Sequence, residues 1–266
     1  MHRIRRLLAL AAIAAITASP APAEAISLIS HRAGYRLTLD TTRPSQDVES
    51  AAGAMFYEVV DRCEGWTVEQ RFTLQVVSRN GQAYEMASDY VTWEEKDGSR
   101  FRFRLRQATD GTVVQALIGE ARIDPASSAG EARYTAPDQQ TVALPRGTMF
   151  PMLHTLRLLE AAERGARVFP APIFDGTEED GARDTNTVII ARLAPDPSHA
   201  QPKLRTLPSF RVRIAFFDPH GHGQPEYEVG IRYFVNGVAD DLRMDFGEFA
   251  VRGELVEYEE LPGGCN

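Results

Sequence analysis

Phe101-Arg102-Phe103-Arg104-Leu105-Arg106 alternates apolar and charged residues without a break. Successive side chains of a strand point to opposite faces, so this stretch offers one face to a core and the other to water. The same period recurs on both sides of it. Phe72, Leu74 and Val76 alternate with Thr73 and Gln75, and Phe210, Val212, Ile214 and Phe216 alternate with Arg211 and Arg213. Tyr227, Val229, Ile231, Tyr233 and Val235 repeat the pattern, as do Leu242, Met244 and Phe246. Asn80-Gly81, Asp97-Gly98, Asp110-Gly111 and Asn236-Gly237 punctuate these runs. Such pairs accept the positive φ angles that tight hairpins require. The reading is a mostly-β chain of roughly a dozen or more strands, joined largely as hairpins. An antiparallel sheet of that size must curl or close.

One segment departs from the period of two. After Thr148-Met149-Phe150-Pro151, the residues Met152, Leu156 and Leu159 fall on one helical face with Leu153 beside them. Pro151 suits a first helical turn, Thr148 is placed to cap it, and Gly165 to stop it. The spacing predicts one amphipathic helix near 151–164, covering one end or face of the sheet. The proline-rich stretches Phe169–Ile173 and Ala194–Pro202 read as loops. A curved sheet with a helix against it makes a groove or half-barrel suited to a ligand.

The N-terminus has its own grammar. Arg3, Arg5 and Arg6 precede an apolar run from Leu7 to Ile16, followed by small residues and prolines up to Ala25. This is the secretory signal pattern, with cleavage expected after Ala23 or Ala25. The run is too short for a membrane span, which needs roughly 20 residues, and no later segment qualifies. The expected mature chain, 26–266, is one domain that works outside the cytoplasm. Its two cysteines are Cys63 and Cys265. In an oxidising compartment such a pair is a disulfide candidate, the alternative being two free thiols. A loop of about 200 residues closed in this way stabilises by roughly 5 kcal/mol in the chain-entropy model.

The formal net charge is −8, and loss of the signal arginines leaves the rest more acidic still. An acidic surface argues against nucleic acid or an anionic membrane as a partner held by bulk charge, without excluding a local basic patch. No G-x-S-x-G, convincing S-x-x-K or glycine-rich phosphate loop is present. Asp218-Pro219-His220-Gly221-His222 is the most metal-like string, but a glycine-rich hairpin turn accounts for it more simply, since no further ligands are marked. Glu94-Glu95, Glu178-Glu179-Asp180 and Glu259-Glu260 read as solvated charge runs. The expectation is therefore no enzyme, no cofactor and no metal. The alternative is a periplasmic hydrolase or metal-dependent enzyme drawing on His31, His154, His220 or His222.

Several strings occur in a familiar order: Ser30-His31-Arg32-Ala33 with Tyr35 and Leu37; Leu144-Pro145-Arg146-Gly147-Thr148 with Phe150, Pro151 and His154; and Phe174-Asp175-Gly176. Leu207-Pro208-Ser209-Phe210, Tyr227-Glu228, Asn236-Gly237-Val238 and Asp245-Phe246-Gly247-Glu248-Phe249 follow, with Cys265 near the end. Together they resemble the cell envelope integrity protein EipB family of α-proteobacteria, from about Ile29 to Cys265. The resemblance implies a periplasmic β-spiral of about fourteen strands, shaped as two half-barrels with a helix in one. It also implies a Cys63–Cys265 disulfide, a fold similar to LolA, LolB and RseB, no enzymatic activity and a role in resisting envelope stress. A lipid, a lipoprotein or a periplasmic protein is the expected partner. His31, Thr148, Pro151, His154, Asp175 and Gly176 are the residues expected to matter beyond the cysteines, Thr148, Pro151 and His154 by fixing the helix and Asp175-Gly176 by shaping a turn.

Overall fold

The computed structural model describes residues 26–43, 45–218 and 223–264. The expected signal peptide, His220, His222 and Cys265 lie outside these residues. The strands that run outward from the start of the chain are β1 (His31–Leu39), β2 (Val48–Asp61), β3 (Gly65–Ser78), β4 (Ala83–Glu95), β5 (Arg100–Thr109), β6 (Thr112–Ile123), β7 (Gly130–Ala136) and β8 (Gln140–Leu144). Helix α1 (Pro151–Glu163) follows. The chain then returns through β9 (Val168–Ile173), β10 (Arg183–Leu193), β11 (Ser209–Phe217), β12 (Tyr227–Phe234), β13 (Ala239–Asp245) and β14 (Ala250–Glu260).

All fourteen strands form one antiparallel sheet in the order β8-β7-β6-β5-β4-β3-β2-β1-β14-β13-β12-β11-β10-β9. Consecutive strands pair except β8 and β9, which form the two ends of the sheet, and at the centre β1 pairs with β14. The sheet coils without closing into a barrel. Its outer ends approach through a parallel bridge between Met149 and Ile173, in which Met149 N–H donates to Pro172 O at 2.9 Å and Phe174 N–H to Met149 O at 3.0 Å. The hairpin signals work as read: Gly81, Gly98, Gly111 and Gly237 all have positive φ, and Asp110 joins Gly111 there.

The inward side chains form two main cores. Phe101, Phe103, Leu105, Leu117, Tyr134, Phe150 and Phe174 fill the β5–β8 half. Leu158, Leu159 and Ala162 of α1 pack with β1–β3 and β10–β14 in the other. Two readings need correction. Phe169–Ile173 is strand, not loop. Pro170 and Pro172 fit because β9 is a terminal strand, where a missing N–H costs no ladder bond. Thr148 does not cap α1, for its Oγ1 donates to Pro145 O at 2.8 Å and Phe150 occupies the cap position without a side-chain bond. The helix covers the inner face of the sheet through Leu158, Leu159 and Ala162 and also buries Met152, His154 and Ala161.

Candidate binding cavity

The inward positions of β1 are His31, Ala33, Tyr35 and Leu37, all buried. Their row continues into Met55, Tyr57 and Val59 of β2, and faces Val229, Ile231 and Tyr233 of β12 and Leu242 and Met244 of β13 across the coil. Met152 and Thr155, from the first turns of α1, project between these walls. A cavity of ≈ 230 Å³ remains. Leu28 and Ile29, just ahead of β1, form one side of it. They are held by Ile29 N–H donating to Asn236 O at 3.2 Å and by the bare backbone of Gly237, where a Cβ would come within 2.6 Å of Leu28 Cδ2. Met55, Met152 and Met244 give the lining flexible, polarizable side chains that adapt to an irregular occupant.

The polar groups in the lining are neutral or already engaged. Tyr35 Oη donates to Ala239 O at 2.8 Å. His31 Nδ1 lies 2.9 Å from Ile29 O, which places the ring proton on Nδ1. The ring rests 5.8 Å from that of Tyr57 and 6.1 Å from that of Tyr258. Burial lowers the His31 pKa, outweighing the bond to Ile29 and the charge of Glu260. Burial also raises the phenol pKa values of Tyr35, Tyr57 and Tyr233. The chamber therefore suits an uncharged apolar group and penalises an ion, which would have to be desolvated on entry.

A buried carboxylate sets the position of the helix beside the cavity. Glu94 is 2 % exposed, and its two oxygens accept the backbone N–H groups of Met152 and Leu153 at 2.7 Å each. A side chain from β4 thus supplies the cap that α1 lacks locally, accepting N–H groups that the helix leaves without a partner. Burial pushes its pKa up to about 8 against those two bonds. The reading of Glu94-Glu95 as one solvated run fails for Glu94, which shares a cross-strand row with Trp66 and Phe101 on the inner face. Glu95 points outward and pairs with Arg100 at 2.8 Å.

The other residues marked in the sequence scatter around this site. His154 does not line the cavity. Its ring lies 5.4 Å from that of Phe169, its Nε2 is buried without a partner, and burial pushes its pKa down to about 4. Asp175 Oδ1 accepts Thr177 N–H at 3.0 Å and Thr177 Oγ1–H at 2.7 Å, while Tyr90 Oη donates to its carbonyl. Gly176 turns with φ +72° above Phe103, whose ring leaves no room for a Cβ. Among the described residues neither His31 nor His154 bonds a carboxylate or hydroxyl, whereas His199 does: its Nε2 lies 2.9 Å from Asp240 Oδ2, and Gln201 N–H donates to Nδ1 at 3.1 Å. Both ring nitrogens are thus used, latching the loop before β11 onto β13. Among the described residues no group of three or more His, Cys, Asp or Glu is placed to hold a metal ion, and no helix is long and apolar enough to cross a membrane. Beside Cys63, Gly264 N–H donates to Asp61 O at 3.0 Å, and Gly264 O lies 3.1 Å from Cys63 Sγ.

Comparison with known proteins agrees with this architecture. Residues 22–262 match the EipB-like family, and the chain belongs to that family. It is 30% identical over 250 residues to the cell envelope integrity protein EipB of Brucella abortus (strain 2308), covering 92% of this chain and 88% of that protein. A crystal structure of a β-barrel-like protein of a domain of unknown function from Brucella abortus superposes with a TM-score of 0.81 at 29% identity, covering 90% of this chain and all of that one.

Proposed function

We propose, taking membership of the EipB-like family as the premise, that this chain is a non-enzymatic periplasmic protein that supports cell-envelope integrity. It does so by holding an apolar group, such as an acyl chain of a lipid or lipoprotein, in the cavity between α1 and the β1–β2 and β12–β13 walls. The observation that carries this reading is the neutral, methionine-rich lining around ≈ 230 Å³ of unfilled space, in a fold whose other half is packed with aromatic rings. The name of the Brucella relative supplies the envelope role. The signal pattern ahead of residue 26 supports export from the cytoplasm. A Cys63–Cys265 disulfide would pin the tail after β14 to the turn after β2, which the approach of Gly264 to Cys63 already favours.

Native mass spectrometry of protein purified from the periplasm, followed by denaturing extraction, tests this. A co-purifying lipid or acylated peptide is the expected result. A clean mass, together with no capture of an added acylated peptide, would overturn it.

A further inference from the structure

The outer face of the β9–β14 half carries a feature that the cavity does not use. One cross-strand row there reads Val168, Val188, Arg213, Gly230, Arg243, Arg252 from β9 to β14. Arg213 and Arg243 stand on either side of Gly230, two strand spacings apart, or about 10 Å. With no side chain at Gly230, the gap between them stays open, and a pocket of ≈ 200 Å³ lies over it.

Like charges directly opposite each other, such as Arg243 and Arg252, destabilise a sheet unless something compensates. Asp40 does so from beneath. It is fully buried and accepts Arg243 Nε at 2.7 Å on one oxygen and Arg252 Nε at 3.0 Å on the other. Arg243 Nη1 also reaches Asp245 Oδ2 at 3.3 Å. Arg252 is held by its Nε, and among the described residues its terminal nitrogens make no ion pair. Arg213 has no ion pair at all among the described residues. Two carboxylates share the pocket wall: Asp241, engaged by Arg211 at 2.7 Å, and Glu228. At the other end of the row Val168 and Val188 are 56% and 46% exposed, and Ile190 on the pocket rim is 45% exposed.

We propose that Arg213, Arg243 and Arg252, which line the pocket over Gly230, form a site for the phosphate of an anionic lipid headgroup, with Val168, Val188 and Ile190 resting on the membrane surface beside it. Guanidinium groups match phosphate oxygens in geometry and charge. The apolar rim favours a lipid over a free ion, because a soluble anion gains nothing from exposed valines. This site is separated from the cavity by the sheet, so it stands whether or not the cavity binds an acyl chain.

The test is flotation of the full mature protein with phosphatidylcholine vesicles, with and without phosphatidylglycerol, alongside titration with inorganic phosphate. Wild type is expected to float with the anionic vesicles and to dissociate at high salt. Arg213→Gln should weaken binding about ten-fold, the loss of one charge-assisted hydrogen bond. Gly230→Val keeps every charge and adds a Cβ in ordinary contact at 3.4 Å with that of Arg243. It should melt like wild type yet lose vesicle binding, whereas Glu228→Gln should bind more tightly. Equal flotation of wild type and Gly230→Val would overturn the site. Phosphate binding without flotation would overturn its assignment to a lipid.

Discussion

In the β5–β8 half, the rings of Phe101, Phe103, Tyr134, Phe150 and Phe174 stack and cross at centroid distances of 5.0 to 6.4 Å. The half that pairs β1 with β14 encloses a helix and an unfilled chamber walled by methionines and tyrosines. The same alternation builds both shells. They differ in what enters them: Phe150 and Phe174 plug the first, while α1 enters the second with Met152 and Thr155 at the chamber and Leu158 and Leu159 in the core. A filled shell contributes stability, and a partly empty one leaves room for a ligand.

The largest expected effect tests that contrast directly. Phe174→Ala should cost about 4 kcal/mol by urea denaturation, because the vacated space lies among packed rings. Met244→Ala, at a wall already lacking neighbours on one side, should cost about 1 kcal/mol. Equal costs would break the distinction between the halves.

Cys63→Ser should cost about 3 kcal/mol if the disulfide closes the seam after β14. Intact wild type should then weigh two hydrogens less than the reduced chain, and an unchanged melting temperature in the variant would refute the staple.

The pH dependence carried by Glu94 is gradual, read as a slope and not as a single loss. Its folded pKa of about 8 lies above its ordinary value of 4.5, so between those values the folded state holds a proton that the unfolded state has lost. This contribution is complete below pH 4.5 and fades as pH rises through 8, with a slope of up to about 1.4 kcal/mol per pH unit. Glu94→Gln should flatten the stability profile in that window. Parallel profiles would mean that the helix start does not sense this carboxylate.

How much of this was legible follows from the range of each signal. Asp110-Gly111 and Phe101–Arg106 declared turn and strand because their constraints are local. The helix start at Pro151 was equally plain. Phe169–Ile173 reads as loop because proline forbids a central strand and sequence does not say which strand is terminal. Glu94 reads as solvated because its inward orientation depends on the phase of β4 against Trp66 and Phe101 in neighbouring strands. The groove itself is expected from a curled sheet with a helix, but its lining and the arginine row stay hidden for the same reason. His31 and Met152, or Arg213, Gly230 and Arg243, meet only through pairings that the order of the sheet creates.

The most direct test of the central claim is titration of a fluorescent acyl-chain probe into wild type and Val229→Phe. The larger side chain occupies space the chamber already offers, so the fold should lose no more than about 1.5 kcal/mol. Saturable binding by wild type that vanishes in a folded Val229→Phe protein is the predicted result. Equal binding by both, or none by wild type stripped of bound material, would contradict the assignment of the hollow half as a ligand cavity.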